Sequence, residues 1–119
     1  MGGALALHTA YHVNRNLAGV FACSSFLNND SIVYESLKSK DVVHDKLPKL
    51  LMFHGERDSL VPSEWGKRTF DQLLTLGITG KFIMLRNTMH ELKTNEIIEL
   101  QEWINNILPP LDTDLTNKL

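Results

Sequence analysis

A single cysteine, Cys23, occurs among the 119 residues. That excludes an internal disulfide within them, and no Cys/His cluster with zinc spacing surrounds it. Such scarcity fits a reducing compartment, so a cytoplasmic setting is expected. Proline is also sparse, and Pro109-Pro110 stand together near the end. No Pro- or Gly-rich linker divides the chain, and its length suits one domain or part of one. Charge of one sign never runs in blocks, and a formal net charge of −2 supplies no field for nucleic acid or an anionic membrane. No apolar run approaches the length of a membrane span. The opening residues, Met1 to His8, lack the basic n-region of a secretory signal, and Ala6 stands where a myristoylation pattern needs Ser or Thr. Internal repeats and low-complexity stretches are absent as well.

What is present is an alternation of element types. Hydrophobic residues make up 43% of the chain, enough for an ordinary globular core. Residues 2–12 place Ala4, Leu5, Leu7, His8 and Tyr11 at helical spacing. Residues 17–25 are short, nearly all apolar and uncharged, as in a strand buried on both faces. Asn28-Asn29-Asp30 marks a turn, and residues 31–40 a short surface helix. A second buried strand follows at Leu50-Leu51-Met52-Phe53. Pro62 then opens a helix to about Leu76, with Ser63 a candidate cap, and Gly77 stands at its C-terminal cap. Residues 81–85 form a third strand. A last helix runs from a cap at Thr94 to about Leu108, with Ile97, Ile98, Leu100 and Ile104 on its apolar stripe. The order predicts an α/β fold: a parallel sheet of about three strands with helices on its faces. Residues 1–110 form the domain portion, and 111–119 a flexible tail.

In such sheets the active site lies at the carboxyl ends of the strands. Three loops meet that condition: those after Ser25, around Asp58 and around His90. An isolated Asp in the Asp58 position reads best as a turn or capping residue, and a lone loop histidine as a solvated one. Together they carry more meaning, because one helix and one strand separate them and the acid precedes the base. That is the order in which the catalytic triad of α/β-hydrolases ends. The carboxylate fixes the imidazole tautomer and stabilises the imidazolium formed when the base takes the nucleophile's proton. The nucleophile of such a triad sits on a sharp strand-to-helix turn written Gly-x-Ser-x-Gly. No such run occurs in these residues, but Gly2 matches its last glycine, so the chain is expected to begin one residue after the serine.

Four segments resemble one family. Met1-Gly2-Gly3-Ala4-Leu5-Ala6-Leu7, residues 17–27 (Leu-Ala-Gly-Val-Phe-Ala-Cys-Ser-Ser-Phe-Leu), residues 54–61 (His-Gly-Glu-Arg-Asp-Ser-Leu-Val) and Met89-His90-Glu91 are similar to the second half of the acyl-protein thioesterases, nearest their lysophospholipase-like branch. The likeness covers about residues 1–108. It implies the C-terminal part of an α/β-hydrolase fold with helices on both faces and no cofactor. The implied activity is hydrolysis of acyl thioesters on proteins (palmitoyl-protein hydrolysis among them) and of small carboxylic esters, mostly in the cytosol. Carried over residue by residue, Asp58 is the triad acid and His90 the base. Met1 falls where a backbone N–H helps form the oxyanion hole.

Other residues have plainer readings. Phe26, Leu27 and Leu60 follow strand ends and are candidates to line an acyl pocket, although loop packing explains them equally well. Ser24 and Ser25 are weak substitutes for the nucleophile, lacking the strained turn and the glycine two residues on. Ser59 reads as a loop hydroxyl, Cys23 as a small buried hydrophobe, and Trp65 and Trp103 as core. His54 reads as structural, and His8, His12 and His44 show no metal spacing. Two functions follow: a serine hydrolase whose Ser lies upstream, or a catalytically dead truncated chain with at most a protein-binding role. Without the strand that leads to the serine, residues 17–25 would keep an exposed apolar edge, and self-association through it is expected. The expected partners are an acylated protein or a small ester, with no nucleic acid and no transmembrane segment.

Overall fold

A computed structural model describes residues 2–39 and 46–108. Met1, His44, Lys40, the proline pair at 109–110 and the proposed tail at 111–119 lie outside the described residues.

Helix α1, Gly2–His8, widens into a π-type turn over Thr9–Val13, closed by Asn14 N–H donating to the Thr9 carbonyl at 2.7 Å. Strand β1 spans Gly19–Cys23, helix α2 Ile32–Leu37, strand β2 Lys49–Gly55, helix α3 Ser63–Thr75, strand β3 Gly80–Leu85 and helix α4 Thr94–Ile107. The strands form a parallel sheet in the order β1-β2-β3, with Cys23 opposite Phe53 and Gly55 opposite Leu85. The uncharged stretch Leu50–Phe53 is the centre of the middle strand, where both faces are covered, and its four residues are buried.

Period-two alternation along the strands sorts the core into two layers. Val20, Ala22, Leu50 and Met52 face Leu7 of α1, Tyr11 of the π-type turn, Val33 and Leu37 of α2, and Phe70 and Leu73 of α3. Leu51, Phe53 and Leu85 face the other way, towards Leu92 and towards Leu100 and Trp103 of α4. Helices therefore cover both faces of the sheet. The cover is uneven. No residue of α4 is fully buried, and Ile97 and Ile98 are about half exposed.

Several expected ends shift for a physical reason. Ser31 caps α2, accepting from Val33 N–H at 3.2 Å, a cap not named from the sequence. Ser63 and Thr94 do not cap: each is the first helical residue. The caps are Pro62 and Lys93, which make no side-chain bond and offer their carbonyls to Trp65 N–H and to the N–H groups of Glu96 and Ile97. Gly77, at φ 95°, closes α3 while Ile78 N–H returns to the Leu73 carbonyl at 3.1 Å.

Strand β1 ends the described sheet, with β2 on one side only. Phe21 is 43% exposed there. A hollow of ≈ 470 Å³ lies beside it, lined by Gly2, Gly3, Ala6 and Phe21 among others. No helix among the described residues is long and apolar enough to cross a membrane.

Candidate active site

Asp58 and His90, the expected acid and base, stand on adjacent loops at the carboxyl ends of β2 and β3. Asp58 follows β2 by three residues, its N–H returning to the Gly55 carbonyl at 3.1 Å. Its side chain is buried and its two oxygens have separate duties. Oδ1 accepts from Leu60 N–H at 2.9 Å and Val61 N–H at 2.8 Å. Oδ2 faces His90 Nδ1 at 2.8 Å. The turn-forming reading and the catalytic reading of Asp58 therefore describe two oxygens of one carboxylate.

His90 reaches this position because the two loops are laced together. Glu56 N–H donates to the Leu85 carbonyl at 2.9 Å, and Arg57 N–H to the Thr88 carbonyl at 3.0 Å. Gly55 makes the crossing close: a Cβ there would run into the carbonyl oxygens of Thr88 and Met89. Asn87, at φ 51°, turns the chain in the left-handed region just before. The His90 side chain is 43% exposed, so the ring is anchored at Nδ1 and open at its other edge. Its Nε2 has no hydrogen-bond partner among the described residues, which leaves that nitrogen able to receive a proton.

Burial by itself would raise the Asp58 pKa. The Val61 amide, the His90 imidazole and the Leu60 amide outweigh it and hold the carboxyl below its ordinary value. Asp58 is thus a carboxylate, able to accept from Nδ1–H and to leave Nε2 as the basic nitrogen.

The other candidate residues divide. Leu60 is 72% exposed and Phe26 half-buried, whereas Leu27 is 3% exposed and packs in the core, with its N–H donating to Thr69 Oγ1 at 2.9 Å. Ser24, Ser25, Phe26, Leu27, His8 and Val61 line a cavity of ≈ 330 Å³ beside the acid loop. Neither Ser24 nor Ser25 is hydrogen-bonded to His90. Burial pushes the Cys23 thiol up, which keeps it from acting as a thiolate. Trp65, expected in the core, is 40% exposed and meets Phe26 in a tilted contact, with ring centroids 4.9 Å apart and planes at 59°. Met1, the expected oxyanion donor, lies outside the described residues.

The amides of Leu60 and Val61 escape a reading by residue type. Their one signal is spacing, two and three residues past an Asp, where Asx-type turns place donors.

A family model described as phospholipase/carboxylesterase matches residues 1–108. The chain belongs to the phospholipase/carboxylesterase family. It is 42% identical over 109 residues to lysophospholipase-like protein 1 of Mus musculus, covering 92% of this chain and 44% of that protein. It is 36% identical over 111 residues to acyl-protein thioesterase 1 homolog 1 of Dictyostelium discoideum, covering 91% of this chain and 46% of that one. The chain thus spans about half the length of the curated relatives it matches. Among solved structures, acyl-protein thioesterase 2 of Zea mays superposes with a TM-score of 0.80 at 21% identity, over 91% of this chain and 53% of that one. Arabidopsis thaliana SOBER1 gives 0.72 at 23%, over 90% and 49%. At these identities the likeness is one of fold, and the fold is the α/β-hydrolase fold of the phospholipase/carboxylesterase family, here in part.

Proposed function

We propose that the chain supplies the acid and the base of a serine hydrolase acting on carboxylic esters and acyl thioesters, palmitoylated proteins among them, in the cytoplasm. The observation that carries this reading is the 2.8 Å approach of His90 Nδ1 to Asp58 Oδ2 across two strand-to-helix loops. Membership of the phospholipase/carboxylesterase family and relatives named as thioesterases support it.

In the proposed reaction, Nε2 of His90 takes the proton of the hydroxyl of a nucleophilic serine. The serine oxygen bonds to the acyl carbon, and the electron pair of the carbonyl moves to its oxygen. Where the chain continues upstream, the backbone N–H of Met1 is the proposed donor to that oxyanion. As the tetrahedral intermediate collapses, His90 returns the proton to the departing thiol or alcohol. Water, deprotonated by the same nitrogen, then releases the acid from the acyl-enzyme. Asp58 holds the ring throughout and stabilises its cationic form. The half-buried Phe26 and the exposed Leu60 offer apolar contacts to the acyl group.

A second reading is favoured by one observation: residues 1–119 contain no Gly-x-Ser-x-Gly run. On that reading the chain is catalytically silent and at most binds another protein. Turnover of a palmitoyl-thioester peptide and of a short-chain ester by the full natural chain, with and without His90→Ala, separates the two. Turnover abolished by the substitution supports the hydrolase; absent turnover, or turnover indifferent to His90, supports the silent protein.

A further inference from the structure

A second histidine stands behind the acid. His54, the penultimate residue of β2, is fully buried. Its Nε2 lies 2.7 Å from the Val61 carbonyl oxygen and 3.5 Å from Asp58 Oδ2. A carbonyl can only accept, so Nε2 carries the proton and donates to Val61. The other nitrogen, Nδ1, is buried without a hydrogen-bond partner. Helix α3 closes that side: a Cβ on Gly66 would run into Nδ1. The ring is therefore wedged between Gly66 and the acid loop, with one donor aimed at Val61 and, more weakly, at Oδ2.

Val61 is the link. Its N–H donates to Asp58 Oδ1 at 2.8 Å, and its carbonyl accepts from His54. His54 thus grips, from below, the residue that grips the acid.

We propose that His54 is a positioning residue for the Asp58–His90 pair: through Val61 it fixes the carboxylate so that Oδ2 is presented to His90 Nδ1. The proposal rests on the hydrolase reading for its purpose, while the geometry it invokes is independent of turnover. Glutamine can place an amide N–H near the position of Nε2, whereas leucine fills the space without a donor. Gly66→Ala acts from the other side, pushing the ring off its seat with its donor intact.

The test is NMR of the full natural chain carrying ¹⁵N-labelled histidine. The proton shared between His90 Nδ1 and Asp58 gives a downfield signal, assigned by its loss in His90→Gln. Its shift and its exchange with solvent report how well Oδ2 is held. In His54→Leu the signal should move upfield and exchange roughly tenfold faster, the factor carried by one hydrogen bond of ordinary net strength. In His54→Gln it should stay within about twofold of the parent. If His54→Leu does not fold, judged by backbone amide dispersion, Gly66→Ala decides, and it should show the same acceleration. An unchanged signal in a folded His54→Leu or in Gly66→Ala overturns the proposal. So does equal loss in His54→Gln and His54→Leu. Thioester turnover measured on the same samples keeps the two claims apart. No turnover with an intact NMR response sinks the hydrolase reading alone; turnover with no response sinks the role of His54 alone.

Discussion

Asp58 and His90 meet at 2.8 Å because Gly55 lets the His90 loop lie directly on the end of β2. The carboxylate meets the imidazole with one oxygen while the other is tied to its own turn. This division lets the acid be rigid without being saturated.

Asp58→Asn should leave the fold in place and remove the chemistry. The amide oxygen can still accept from the Leu60 and Val61 N–H groups, but the NH₂ group facing His90 favours the wrong tautomer. The expected loss in kcat of the full natural chain is on the order of ten-thousand-fold, with a small change in KM. Steady-state kinetics on an ester substrate measures it.

His90→Ala should cost about 1–3 kcal/mol, because Oδ2 of the buried carboxylate loses its partner. It should also lower kcat by on the order of a thousand-fold or more. The double variant with Asp58→Asn should be no slower than the slower single one, since the two groups act as a unit. Urea melts and kinetics on the three variants check both statements.

Gly55→Ala should displace residues 88–90 and separate the base from the acid. A Cβ there meets two backbone carbonyls, not a flexible side chain, so the backbone must move. The expected destabilisation is about 1–3 kcal/mol, accompanied by loss of the downfield His90 signal. A variant as stable and as active as the parent would contradict the crossing geometry.

Acid stability follows from the lowered pKa of Asp58. A group held below its unfolded value stabilises the fold above that value, ordinarily 3.8 for Asp, and loses the contribution as pH falls through its lower folded value. Stability measured by urea unfolding should therefore fall below about pH 4, and the fall should be shallower in Asp58→Asn. A parallel pH dependence in the two proteins would show that the carboxylate is not held as described.

The open side of β1 makes a prediction about the 119 residues on their own. With an exposed Phe21 beside an apolar hollow, they should self-associate, and Phe21→Lys should reduce association by placing charge at the edge. Sedimentation velocity at several concentrations distinguishes a monomer from larger species.

Much of this site can be read before any coordinates, and the reasons are local. The run Leu50–Phe53 reads as a strand buried on both faces, and in a parallel sheet the loops after it and after Leu85 open at one edge. That logic pairs Asp58 with His90. What escapes it depends on contacts between distant segments. The approach of Gly55 to Thr88, and of Gly66 to His54, leaves no trace in periodicity. The exchange between Leu27, buried, and Trp65, half exposed on Phe26, is decided by how α3 meets the loop after β1. The wide turn at Thr9–Val13 keeps an apolar stripe while adding a residue, so helical spacing cannot detect it. Ser63 and Thr94 have the chemistry of caps but stand one position too late to act as such.

The most direct test is labelling of the full natural chain with a fluorophosphonate probe, followed by peptide mapping. The account predicts a single serine adduct, lost in His90→Ala and strongly reduced in Asp58→Asn. Labelling that persists without His90, or an adduct on Ser24 or Ser25, would contradict it.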